Sequence, residues 1–513
     1  MEWSIDGGSN SMIQHIRSQI KTCTLLCTLT ISIFVLVTFA FDHSNYNAFA
    51  QNQSLPFSDI YSEQVLAKIN DKDHLAGMNF SKPVDVYSKD GVLQTTLVAD
   101  YKIGKVDNKT ITGMAYNGSL VGPAFHVYPG DRVEIDLVNN LNESTNLHFH
   151  GLHVSPGNTS DNIFLDVEPG KTQHYVLDIP KNHDPGTNWY HSHLHKLSYG
   201  QVSAGLSGLF IIEGLEKLLP EPLQNITTQA VAMKDFPFDN LFVTTHNLSN
   251  TMSGHESLTV NGEVNPVINI TSGETQLWRL ANIGSENEYT LTLPGNKFHV
   301  ITEDGSPVWE VWNNDTLFFP SGKRFDVLVT ANGSGSIPLG VPANPFTAPY
   351  DSHVATVNVQ GNQTEVKPAD TLPTSLIPER DLSNANISNY RVLNFSSNDR
   401  DWIYEINNTT FDPNRVDITA KLGTVEEWKL VNLDKISSGN IHPFHIHVND
   451  FQVMSVNGKP YDAHGYQDTV IIPTEGEVVI RIPFDDFVGK SVYHCHLMFH
   501  GDFGMMGIFE VVK

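Results

Sequence analysis

The chain is poor in cysteine and in positive charge. Of its three cysteines, Cys23 and Cys27 lie in an apolar N-terminal stretch, which leaves Cys495 alone in the body and excludes an intrachain disulfide there. Lys and Arg total 31 against 57 Asp and Glu, a formal net charge of −26 with no basic run, so nucleic acid is excluded as a partner. Amphipathic helical windows are few, and outside residues 22–41 no apolar run approaches membrane-spanning length. What is present is size and turn chemistry. A length of 513 residues calls for more than one hydrophobic core, while 27 Phe and 16 Tyr supply core material and 37 Gly and 27 Pro supply turns.

Arg17 and Lys21 precede the apolar stretch from Thr22 to Phe41, and Ala48-Phe49-Ala50 offers a small-x-small cleavage pattern before Gln51. Residues 1–50 therefore read as a signal peptide or an N-terminal membrane anchor. Either places the rest outside the cytoplasm, as an extracellular or cell-surface/periplasmic protein. Sixteen Asn-x-Ser/Thr sequons between Asn52 and Asn408 agree with that surface. A lone thiol in an exported body implies that Cys495 is held by something other than a disulfide.

Self-similarity reveals the organisation. Pro129-Gly130-Asp131 through Val138-Asn139 aligns with Ser272-Gly273 through Ala281-Asn282 and with Leu422-Gly423 through Val431-Asn432. Each copy places a large apolar residue, a Leu and an Asn at the same offsets after Gly, and the copies recur roughly 145 residues apart, a domain-sized period. In the first, Val133, Ile135 and Leu137 alternate with Arg132, Glu134 and Asp136, the period of a half-buried strand. The expectation is an all-β chain of three Greek-key β-sandwich domains built from antiparallel sheets, at residues 51–215, 216–365 and 366–513.

The histidines cluster in that frame. Four H-x-H pairs stand out: His148/His150 and His191/His193 in the first domain, His445/His447 and His494/His496 in the third. Residues two apart on a strand project from one face, so each pair can address one metal cluster, provided the outer domains touch. The middle copy has Leu291 and Leu293 at the offsets of His148 and His150, and reads as having lost its ligands. His174, His183, His195, His299 and His464 have no matched partner and read as surface or supporting residues. Cys495, between two paired histidines, points to the opposite face and toward a different metal. With His442, His500 and Met505 it supplies the thiolate, two imidazoles and thioether of a trigonal blue-copper centre. Met506, beside Met505, reads as an ordinary core side chain.

These residues resemble the three-domain multicopper oxidases, the laccase-like group built from cupredoxin domains. The resemblance rests on His148-Phe149-His150-Gly151, His191-Ser192-His193, His442-Pro443-Phe444-His445-Ile446-His447 and His494-Cys495-His496 through His500 and Met505, and spans residues 80–513. It implies four copper ions. Type 1 copper would lie at His442, Cys495, His500 and Met505, and type 2 at His148 and His445. The type 3 pair would lie at His150, His191, His193, His447, His494 and His496. It further implies four one-electron oxidations of phenols or aromatic amines, entering near Cys495 and His500 and reducing dioxygen to water, with a metal-ion oxidase for Fe(II), Mn(II) or Cu(I) as the alternative. The exported part has only eight scattered methionines, which weakens the Cu(I) version.

Relatives carry an acid after the first H-x-H-G motif. Here that is Asp161, either a proton relay or a turn residue. Asp468 matches a family position and can be purely structural. Phe499-His500-Gly501 departs from the acidic flanks found in many relatives. An electron-transfer array with a dead cluster would require lost ligands, and all twelve positions are filled.

Overall fold

The computed structural model describes residues 83–106, 109–237, 256–341, 352–361 and 372–513. Residues 1–50, read above as a signal peptide or anchor, lie outside them, and among the described residues no helix is long and apolar enough to cross a membrane. Six sheets form three face-to-face pairs, of five and four, six and five, and six and five strands.

The three sequence repeats occupy equivalent strands. Arg132–Asn139 lies between Val92–Val106 and Thr172–Asp178. Thr275–Asn282 lies between Thr228–Pro237 and Arg324–Thr330, and Thr424–Asn432 between Ile387–Asn398 and Glu477–Phe484. The first neighbour of each is parallel and the second antiparallel, so the sheets are mixed where antiparallel sheets were expected. The cause is a crossover. Before each repeat strand the chain visits the opposite sheet, through Gly122–Val127, Val267–Thr271 or Ile418–Lys421, and returns in its former direction.

Alternation on these strands builds the cores. Ile135, Trp278 and Trp428, the apolar residues at one offset of the repeat, are fully buried in three separate clusters. Each contributes roughly 1.5–3 kcal/mol by leaving water. The repeat asparagine has a different task. Asn139 donates through Nδ2 to the carbonyls of Glu143 (2.8 Å) and Val167 (2.7 Å) and accepts from Leu141 N–H. Asn282 donates likewise to Asn287 and Phe319, and Asn432 to Asn440 and Ile472. One buried amide thus clips the loop after each repeat strand and fixes where the following strand begins. Those following strands are His148–His150, Tyr289–Thr292 and His442–Ile446.

Candidate metal centre

Strand pairing sets the histidines out. His148–His150 pairs with Gly186–His191, placing His148 opposite His191, and His442–Ile446 pairs with Gly489–Cys495, placing His445 opposite His494. The two ladders meet at the seam between the first and third sandwiches. There His148 stacks on His447 with ring centroids 3.7 Å apart, and His150 on His445 at 3.8 Å. Nitrogens converge at the seam: across it His193 Nε2 lies 3.1 Å from His494 Nε2 and His150 Nδ1 3.1 Å from His496 Nε2, 346 residues away in sequence, while His447 Nε2 lies 3.2 Å from His494 Nε2 within the third sandwich.

The far nitrogen of most of these rings is occupied. His148 Nδ1 faces Asp161 at 2.9 Å, and the Nδ1 atoms of His191, His445 and His494 lie 2.8–2.9 Å from the carbonyls of Ser192, Asp468 and Cys495. His150 is turned the other way, with Nε2 on Asp468 (3.2 Å) and Nδ1 toward the cluster. A donor hydrogen bond on one nitrogen fixes the lone pair on the other. Nε2 of His148, His191 and His445 is then buried without a partner. Burial, reinforced by neighbouring imidazoles, holds His148, His150, His193, His447 and His496 well below the usual histidine range. Neutral, sealed lone pairs gathered in threes within 4.8 Å of one another are a cost to the fold unless a cation accepts them.

The second constellation sits on the reverse face of the same strand. Cys495 Sγ lies 3.6 Å from both His442 Nδ1 and His500 Nδ1. His442 Nε2 is held by Asp434 at 3.0 Å, and the His500 ring stacks on Tyr404 at 4.3 Å. Met505 is fully buried in the same core; its N–H donates to His500 O and its carbonyl accepts Cys495 N–H. Burial pushes the Cys495 thiol well up, so a thiolate here requires a cation beside it. One thiol, two imidazoles and a nearby thioether suit copper, as the imidazole cluster does.

The middle domain holds no histidine at the cluster, yet it reaches it. Its loop Ser321-Gly322-Lys323-Arg324 was not singled out in the sequence. Ser321 Oγ lies 3.1 Å from His496 Nδ1. A Cβ on Gly322, which has φ +88°, would come within 3.0 Å of both His150 and His496. Arg324, fully buried, donates to both carboxylate oxygens of Asp468 at 2.8 and 2.7 Å, and to the Thr187 carbonyl and Asn188 Oδ1 of the first domain. Against the cost of burial, that guanidinium holds Asp468 below the usual carboxylate range, ready to accept His150 Nε2–H. Lys323 pairs with Glu303 and Asp304 beneath it.

The remaining candidates separate clearly. Asp161 accepts both His148 Nδ1–H and Phe149 N–H, so it belongs to the cluster's support, and burial pushes its carboxyl up to about 8. Asp502 accepts Lys196 N–H and Tyr199 N–H, docking the third domain onto the start of the helix Ser198–Ala204. His195 packs on Phe411 and His464 on Trp312, away from the cluster, and His183 accepts His153 N–H.

Three cupredoxin-like sandwiches, with an interdomain imidazole cluster and a cysteine centre on one strand, define a copper-handling redox protein. Family models described as multicopper oxidase match residues 98–217, 228–337 and 381–513. The chain belongs to the multicopper oxidase family, oxidoreductases that use dioxygen as acceptor. It is 29% identical over 411 residues to a multicopper oxidase of Staphylococcus haemolyticus, covering 78% of this chain and 84% of that one. It is 30% identical over 382 residues to the cell division protein FtsP of Salmonella typhimurium, covering 71% and 77%. A multicopper oxidase from Campylobacter jejuni, described as a metallo-oxidase, superposes with TM-score 0.71 at 24% identity, covering 86% of this chain and 97% of that one.

Proposed function

We propose that the chain is a four-copper oxidase coupling one-electron oxidation of phenols or aromatic amines to reduction of dioxygen to water. His442, Cys495, His500 and Met505 would hold type 1 copper and His148 and His445 type 2. The type 3 pair would be held by His150, His191, His193, His447, His494 and His496. The observation that carries this reading is the convergence of partnerless, buried imidazole nitrogens from two domains. Bound copper supplies the one-electron redox chemistry and the site of oxygen reduction.

The protein's own groups do the rest. His500, 8% exposed, is the outermost group of the cysteine centre, lying under Tyr404, which packs on Phe499; Phe499 in turn packs on Trp402. Ile436 and Leu433, exposed on the loop before His442, extend an apolar surface suited to aromatic donors. Cys495 is bonded in sequence to His494 and His496, a short covalent path between the two centres. Asp161 holds a proton at His148 Nδ1 and keeps that ring's Nε2 lone pair inward. Asp399, an exposed carboxylate beside Tyr404, favours the hard-cation form of the alternative, oxidation of Fe(II) or Mn(II) rather than Cu(I). Export belongs to the same proposal, since an exported body with one thiol keeps it for metal.

Copper analysis with oxygen uptake on a panel of phenols, diamines and metal ions tests this. About four coppers and turnover of aromatic donors are expected. A single copper per loaded chain removes the cluster, and turnover of metal ions alone selects the alternative.

A further inference from the structure

The loop that Asn282 clips in the middle domain runs along the turn that follows the cysteine strand of the third. Ser321 Oγ bridges the Gly284 carbonyl (2.7 Å) and His496 Nδ1 (3.1 Å). Ser285 O accepts Met498 N–H at 3.1 Å, and Glu286 Oε1 accepts Phe499 N–H at 2.7 Å. Residues 284–286 therefore track residues 496–499, the connection between the two candidate copper centres. Glu288 follows at once. It is 4% exposed, and both its carboxyl oxygens are buried with no hydrogen-bond partner. Its backbone has little freedom, because Asn287 Nδ2 and Tyr289 OH on either side both donate to Asp235, at 2.7 and 2.5 Å.

A sealed carboxyl without a partner destabilises a fold, and an apolar side chain of similar size would serve packing better. Such a group is understandable if it is kept for its proton. Reduction of one dioxygen consumes four electrons and four protons and yields two waters, and the protons must cross a buried shell.

We infer that Glu288 is a proton donor for dioxygen reduction, held by the middle domain on the loop that lies along the segment following the cysteine strand. Its carboxyl O–H breaks, the proton passes to the oxygen being reduced, and the carboxylate left behind recovers a proton from solvent before the next cycle. Burial pushes this carboxyl up to about 8, so it carries its proton at neutral pH. The titratable groups around it are Glu286 on its own loop, Asp235 on Thr228–Pro237, and Cys495 at the end of the strand Gly489–Cys495. The inference rests on oxygen reduction by this chain, which oxygen uptake by the parent tests separately.

Copper-loaded parent, Glu288→Gln, Glu288→Asp and Glu288→Met proteins decide it. Glu288→Gln should keep copper content, blue absorbance and the anaerobic rate at which a phenol bleaches it. Oxygen-driven recolouring should slow at least about tenfold, with partial recovery in Glu288→Asp. The infrared carbonyl stretch of a protonated carboxyl should be weaker in Glu288→Gln than in the parent. Glu288→Met should be at least as heat-stable as the parent, its advantage growing as pH rises from about 4.5 towards 8. In that window the unfolded glutamate ionises while the folded one stays protonated, so the parent loses stability. Recolouring at the parental rate, an unchanged carboxyl band, or loss of copper or heat stability in Glu288→Met would each overturn the assignment.

Discussion

The outer domains and the middle domain share one repeat, one clipped loop and one sandwich, yet they serve the centre in different ways. After the clip, the first domain presents His148 and His150, whereas the middle domain buries Leu291 and Leu293 in its own core. The middle domain instead sends this shared geometry outward. Its clipped loop lies on residues 496–499, and its Ser321–Arg324 loop supplies a hydroxyl, a glycine cradle and a buried guanidinium. A copy without the cluster histidines has become the support on which those of the other two are aligned.

The sharpest break in that comparison is removal of a proposed ligand itself. Cys495→Ser should abolish blue absorbance and donor oxidation while the far-ultraviolet dichroism of the copper-loaded protein stays unchanged, since the sandwich cores stand without the thiol. Next comes removal of support from the middle domain. Arg324→Met leaves Asp468 buried without its cation and should cost about 3–5 kcal/mol in denaturant unfolding. Copper should fall at the imidazole cluster before the blue band is lost.

Restoring histidine to the middle copy should not restore a site. Leu291→His buries an imidazole among apolar neighbours and should destabilise by about 2–4 kcal/mol with no gain in bound copper. Asp161→Asn should slow turnover about tenfold, with blue absorbance and copper content retained; an unchanged rate profile across pH would leave Asp161 a purely structural role. The smallest effect is expected from Ser321→Ala, about 1–2 kcal/mol of stability and a small shift in the cluster's near-ultraviolet absorption, because the hydroxyl's hydrogen bonds to the Gly284 carbonyl and His496 are lost.

What could be read from the sequence was what a short period encodes. H-x-H on a strand puts two rings on one face, and Cys495 between His494 and His496 faces the other way; both follow from the pleat, and the structure gathers these side chains accordingly. The all-β class was legible from alternation in the repeats. Parallel neighbours were not, because strand direction depends on the crossover and not on the pattern within a strand. Arg324 and Asp468 are 144 residues apart and meet across a domain boundary, so neither carries a local signal of the other. The repeat asparagine was visible as a recurrence, but its purpose emerges only once the loop it clips is seen to lead into the histidine strand.

The contact between His150 and His496 closes a loop of 346 residues, and most of the chain must be in place before those two nitrogens can meet. During synthesis, the first sandwich is complete long before the last histidines leave the ribosome, and its four cluster imidazoles wait at an open seam. Closing so long a loop carries a large entropic cost and makes this contact late in folding. Metal ions arriving early would meet half of the proposed site. On the proposed assignment full loading would follow assembly of all three domains, and copper uptake would report the last step of folding.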